Sequence, residues 1–304
     1  MEKSSFKPVK KIFIFAILLL FVFSGVFLTG CVKDDDDENK EDNNSSVQVL
    51  NLDKPLGVWW WDKTLGDEYL TFAKLNGVDE IYYCDYSPQE DVYNFVLKAK
   101  QKGIKVYLLL GEKEWVNDAS NLNDIINLYR MYQQTYPDAN LSGIHLDVEP
   151  HQFSDFKSSD DIRKNYITKF INMASTVVKS NSDITFDFDI PFWLDDEVEF
   201  DGQTKSAYKH LIDIASRVFV MSYRDTAQGI ISVAHDEVDY AKVNGKQIFV
   251  SVEMTSNEGD NVSFQEESKQ VLNEQLNKLE SFIGYDNYGV SIHHIKTWKN
   301  LKDK

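Results

Sequence analysis

From Leu50 onward, short apolar runs rich in β-branched and aromatic residues alternate with longer amphipathic stretches, and the alternation repeats eight times. The runs at 56–61 (LGVWWW), 80–86 (EIYYCDY), 105–110 (KVYLLL) and 143–149 (GIHLDVE) predict the first four strands. Those at 184–190 (ITFDFDI), 217–223 (RVFVMSY), 247–253 (QIFVSVE) and 288–294 (YGVSIHH) predict the other four. Between them, helical spacing covers 89–102, 120–136, 159–180, 205–216 and 263–282, with Ser120, Ser159 and Ser263 as candidate N-caps. Gly77, Gly103 and Gly245 stand where a helix should stop and the next strand begin. Strands that are apolar on both faces belong to a covered parallel sheet. The pattern therefore predicts the α/β class and a single (β/α)8 TIM barrel over 50–304. Its last helix should be short or missing, since only 296–304 follow the eighth strand. No Gly-x-Gly-x-x-Gly follows the first strand, which weighs against an open dinucleotide-binding sheet, and no cofactor is expected.

The chain before the barrel has a different pattern. Lys3, Lys7, Lys10 and Lys11 precede a long apolar run from Ile12 to Leu28, which closes on Leu28-Thr29-Gly30-Cys31. That ending resembles the bacterial lipobox. The resemblance implies that residues 1–30 are a cleaved signal peptide and that Cys31 carries a diacylglycerol and an acylated amine. An uncleaved signal-anchor helix is the alternative reading of the same run. Residues 31–49 then form an acidic tether (VKDDDDENKEDNNSSVQ and its flanks), too polar and self-repelling to build a core. Either reading puts the barrel at the extracytoplasmic face of the cell membrane, with the membrane itself a partner through the lipid on Cys31.

Composition narrows the functions. Asp and Glu number 49 against 32 Lys and Arg, a net charge of −17, so no basic stripe exists for a nucleic-acid backbone. Of the two cysteines, lipidation takes Cys31 and leaves Cys84, so the domain must hold together without a disulfide.

Polar residues collect toward the C-terminal ends of the strands, where barrels of this kind keep their active sites. The fourth strand reads His145-x-Asp147-x-Glu149, and a period of two puts these side chains on one face. The fifth carries Asp187-x-Asp189 and leads into Phe192 and Trp193. The sixth ends in Met221-Ser222-Tyr223-Arg224-Asp225, the seventh in Ser251-x-Glu253 and the eighth in Ser291-x-His293. Carboxylates buried unpaired are costly, so these should converge in the barrel mouth, where crowding raises the pKa of one enough for it to serve as an acid. Aromatic rings frame the same rim: Trp59 and Trp61 from the first strand, Tyr86, Trp115, Trp193 and Tyr223. Carboxylates ringed by flat aromatic faces describe a carbohydrate cleft. Trp59, Trp61, Tyr86, Asp189, Trp193, Asp225 and His293 are the candidate substrate contacts.

The fourth strand, Ser142-Gly143-Ile144-His145-Leu146-Asp147-Val148-Glu149, resembles the Asp-x-x-Asp-x-Asp-x-Glu signature of glycoside hydrolase family 18, the chitinase family. The last Asp and the Glu match, while Ser142 and His145 replace the other two. Met221-Ser222-Tyr223 is similar to that family's Met-x-Tyr-Asp on the sixth strand, with Arg224 in place of the Asp. The resemblance implies that Glu149 is the general acid, that Asp147 orients an acetamido group acting as nucleophile, and that Tyr223 steadies that group. A second resemblance, to barrel glycosidases of the large retaining clan, keeps Glu149 in Val148-Glu149-Pro150 as the acid and makes Glu253 the nucleophile. A metal site would draw on His145, Asp147, Glu149, His151, His293 and His294, but their spacing matches no zinc motif. The chain is thus expected to be a cell-surface glycoside hydrolase-like lipoprotein acting on an N-acetylhexosamine-containing polysaccharide. A non-catalytic carbohydrate-binding lipoprotein is the alternative, and a metal-dependent hydrolase a third reading.

Overall fold

The computed structural model describes residues 49–256, 259 and 261–303. The expected signal peptide, Cys31 and all but the last residue of the expected tether lie outside the described residues.

Eight parallel strands close into a barrel. They are β1 (Leu56–Trp60), β2 (Glu80–Cys84), β3 (Lys105–Leu110), β4 (Ile144–Leu146), β5 (Phe186–Pro191), β8 (Arg217–Met221), β9 (Gln247–Glu253) and β10 (Tyr288–His293). β1 pairs with both β2 and β10, which completes the ring. An antiparallel hairpin, β6 (Glu197–Phe200) and β7 (Gln203–Ser206), is inserted after β5. The helices are α1 (Asp67–Leu75), α2 (Glu90–Gln101), α3 (Ser120–Thr135), α4 (Asp160–Ser180), α5 (Ala207–Ile214), α6 (Ala227–Val243) and α7 (Lys269–Ile283). They end with α8 (Ile295–Lys299), the expected short last helix. No helix among the described residues is long and apolar enough to cross a membrane.

Local chemistry explains most of the element ends. Gly77, Gly103 and Gly245 take φ of 71°, 75° and 66°, the left-handed turn that stops α1, α2 and α6. Ser159 caps α4, its hydroxyl accepting from the Ile162 amide at 3.2 Å. The other two expected caps are corrected. Ser120 is already inside α3, and its own amide is held by the Asp118 carboxylate at 2.9 Å. α7 starts later than its apolar spacing suggests and is capped by Ser268, whose hydroxyl accepts from the Val271 amide. Ser263 instead ties the loop after β9 to its strand, donating to the Glu253 carbonyl at 3.3 Å.

Alternation along each strand divides the core in two. Outward residues such as Val58, Trp60, Leu108 and Phe188 pack under the helices. Inward residues Trp59, Tyr82, Tyr107, Leu109, Phe219 and Phe249 fill the barrel axis. Gly57 makes room for this layer, since a side chain there would collide with the Tyr82 ring. Below it, Arg217 bridges Asp187 at 2.6 and 3.0 Å and Glu80 at 2.7 Å. All three are buried and the guanidinium lies over the Tyr107 ring. Asp187 was expected in the mouth beside Asp189. It points into the barrel too, but one layer lower, where its charge is neutralised by Arg217.

Candidate active site

Above the aromatic layer, at the C-terminal ends of the strands, a cleft of about 630 Å³ opens to solvent. Each strand delivers its share by the period-two rule: Trp59 and Trp61 from β1, Asp147 beyond β4, Asp189 from β5, Glu253 from β9 and His293 from β10. Glu149 follows the tip of β4, immediately before a 3-10 turn at Pro150–Gln152. Tyr223 lies just past β8, and Trp193 closes the side after β5. The proposed catalytic residues Glu149, Asp147, Tyr223 and Glu253 therefore share one cavity with Trp59, Trp61, Asp189, Trp193 and His293.

Two of the expected substrate contacts do not line it. The Tyr86 hydroxyl is spent on the Gly111 backbone, donating to its carbonyl at 3.0 Å and accepting from its amide at 3.1 Å. Tyr86 thus shapes the cleft through Gly111, which is part of the wall. Asp225 is half-buried outside the lining, next to Arg224, whose guanidinium lies over Phe192 and donates to the Tyr223 carbonyl.

The carboxylates fall into distinct states. Burial pushes Asp147 well above the usual carboxylate range, and the neighbouring Asp189 and Glu149 charges add to this. Burial and Glu149 do the same to Asp189. Asp147 Oδ1 is buried with no hydrogen-bond partner among the described residues. Glu253 moves the other way: burial would raise it, but its contacts outweigh burial and lower it. Its Oε1 accepts from the Met254 and Thr255 amides, both at 2.6 Å, and its Oε2 meets His293 Nδ1 at 2.7 Å. Burial, then the carboxylates around it, lifts the Tyr223 hydroxyl well above its ordinary value, so it remains a donor.

The histidines orient these groups. His145, which stands where the family 18 signature has Asp, is fully buried and stacks on Tyr82. Burial lowers its pKa to about 3, and the neutral ring hydrogen-bonds Asp189 Oδ2 at 2.7 Å. His293 receives the Trp61 indole N–H on Nε2 at 2.9 Å while Nδ1 faces Glu253. Burial disfavours its charge, yet the Glu253 contact prevails and its pKa is raised. His151 Nε2 stands 3.7 Å from Glu149 Oε1, and the Gln152 amide donates to Glu149 Oε2. Gln152 and Lys113 are lining residues that sequence reasoning missed. For Gln152 a signal existed: it lies three residues after Glu149, the reach of one helical turn. Lys113 has none, since it enters from the β3 loop. Among the described residues no three His, Cys, Asp or Glu side chains assemble into a metal-binding group.

No family model matches the chain, and no curated protein matches it. Solved structures do. A GH18 chitinase from Pseudoalteromonas aurantia superposes with a TM-score of 0.53 at 12% identity, over 80% of this chain and 94% of that one. A GH18 chitinase from Cycas revoluta, in complex with (GlcNAc)3, superposes with a TM-score of 0.50 at 10% identity, over 80% and 95%. At such identities the likeness establishes the fold alone: a TIM barrel like that of these chitinases.

Proposed function

We propose that this chain hydrolyses glycosidic bonds in an N-acetylhexosamine-containing polysaccharide, with Glu149 as general acid, and does so outside the cell on a lipid anchored at Cys31. The observation that carries the reading is the convergence of Glu149, Asp147, Asp189 and Tyr223 on one aromatic-walled cleft. Glu149 would protonate the glycosidic oxygen as the bond to the sugar breaks. Asp147, with an unpartnered oxygen, would take the N–H of the acetamido group. The protonated Tyr223 hydroxyl would donate to that group's carbonyl oxygen as it attacks the anomeric carbon. Three hydrogen bonds occupy Glu253, which leaves it an orienting carboxylate and a poor nucleophile. This supports the substrate-assisted scheme over the two-carboxylate one.

One observation favours the second reading, a saccharide-binding protein without catalysis. Ser142 and His145 stand where the family 18 signature has its first two Asp. Hydrolysis of chito-oligosaccharides and chromogenic glycosides by wild type, Glu149→Gln and Glu253→Gln separates the schemes. Glu149→Gln should lower kcat by about 10²- to 10⁴-fold while still binding substrate, and Glu253→Gln should cost far less. Binding by wild type with no cleavage would establish the non-catalytic reading. Equal losses in both variants would restore Glu253 as nucleophile.

A further inference from the structure

We infer that the cleft continues past Trp193 into an acidic annex that receives the protonated amine of a hexosamine unit whose nitrogen carries no acyl group. The inference rests on the saccharide reading above and names a substrate class within it. A second cavity of about 400 Å³ shares Phe192 and Trp193 with the main cleft as a common wall. Trp193 is 37% exposed, a free face on which a sugar ring can stack. Asp195 and, from α6, Asp236 stand on the other sides, both exposed.

Glu237 carries the argument further. It sits on the inner face of α6, lines this cavity, and is only 1% exposed. Neither of its carboxyl oxygens has a hydrogen-bond partner among the described residues. A buried acceptor pair left unmade costs stability, and folds rarely keep one without use. His235 lines the same cavity but pairs with Asp236 at 3.1 Å and Asp239 at 3.5 Å, contacts that raise its pKa, and the Lys209 ammonium lies over the Tyr208 and Tyr240 rings, so neither cation pairs with Glu237. No metal-binding group assembles here among the described residues. Glu237 and Asp195 beside an aromatic wall, with Asp236 shared with His235, suit an organic ammonium, and the shared wall makes that ammonium part of the saccharide in the cleft.

Burial, then Asp195 and Asp236, pushes Glu237 up to about 8, so it holds its proton at neutral pH. An ammonium entering the annex takes over the role of that proton. Glu237–COOH loses H⁺ to solvent and the carboxylate pairs with the amine. An N-acetyl group carries no charge and leaves the proton in place.

Calorimetric titration of the full-length Glu149→Gln chain, in neutral detergent at pH 7, tests this with a glucosamine tetramer and an N-acetylglucosamine tetramer. Buffers of different ionisation enthalpy count the protons released. The amine-bearing tetramer should bind about tenfold more tightly or better and release a proton. Adding Glu237→Gln should abolish the preference and the release, and adding Asp195→Asn, at an exposed position, should weaken the preference. Equal affinity for the two tetramers overturns the annex and leaves the hydrolase reading standing. A preference that survives Glu237→Gln without proton release overturns it too, because the net charge of −17 would then explain the attraction. If neither tetramer binds, both readings fall.

Discussion

His293 is held between two partners that want opposite things of it. Glu253 at Nδ1 favours the imidazolium, whereas the Trp61 N–H at Nε2 needs a lone pair that only the neutral ring has. The raised pKa sets the sign: the charged ring prevails below a midpoint above the ordinary 6.5, and its ion pair with Glu253 is lost as pH rises through that midpoint. Trp61 thus keeps its hydrogen bond on the alkaline side and loses it on the acid side. Tryptophan emission should show a transition centred above pH 6.5 that disappears in His293→Gln. An identical transition in that variant would contradict the assignment. His145 makes no such switch, because burial holds it neutral down to about pH 3. At this scale the sequence was informative about which residues face inward and silent about their depth. Period two placed Asp187 and Asp189 on one face, but nothing local told that Arg217, thirty positions away, neutralises the first.

The elements were legible wherever burial on both sides made them apolar. All eight barrel strands lie where the apolar runs put them, with ends shifted by a few residues. β4 is the most shortened: the run 143–149 promised seven residues, yet only Ile144–Leu146 pair as strand. The Asp147 amide still bonds the Leu110 carbonyl at 2.8 Å, and beyond it Glu149 projects from a loop rather than from a ladder. The β6–β7 hairpin leaves no such pattern in the sequence. Its strands are short and polar, so neither period stands out, and the last two residues of β7 fall within the helical stretch at 205–216. A turn signal was present in Asp201-Gly202, which take φ of 53° and 74° as a tight hairpin turn requires. Helix starts were misplaced for a related reason: Ser263 and Ser268 are both good caps by type, and only the tertiary pull of the β9 loop on Ser263 decides between them.

At the scale of the whole molecule, the barrel supplies a cleft at one end of its strands. The count of βα units made the barrel legible, and the rule that barrel chemistry sits at the C-terminal ends of strands made most of the cleft legible. The side-loop contribution of Lys113 needed the folded chain. Anchoring through Cys31 is a separate claim with its own test. Expressed in a bacterial host, the wild-type chain should sediment with membranes, and Cys31→Ser should not carry acyl groups. Unchanged acylation of Cys31→Ser would disprove the anchor. The central claim concerns Glu149, and a crystal structure of Glu149→Gln with a bound chito-oligosaccharide tests it most directly. The account predicts sugar rings against Trp61 and Trp193, with a glycosidic oxygen about 3 Å from the residue 149 side chain. A saccharide seated elsewhere on the barrel, or in the cleft with residue 149 out of hydrogen-bond reach, would contradict it.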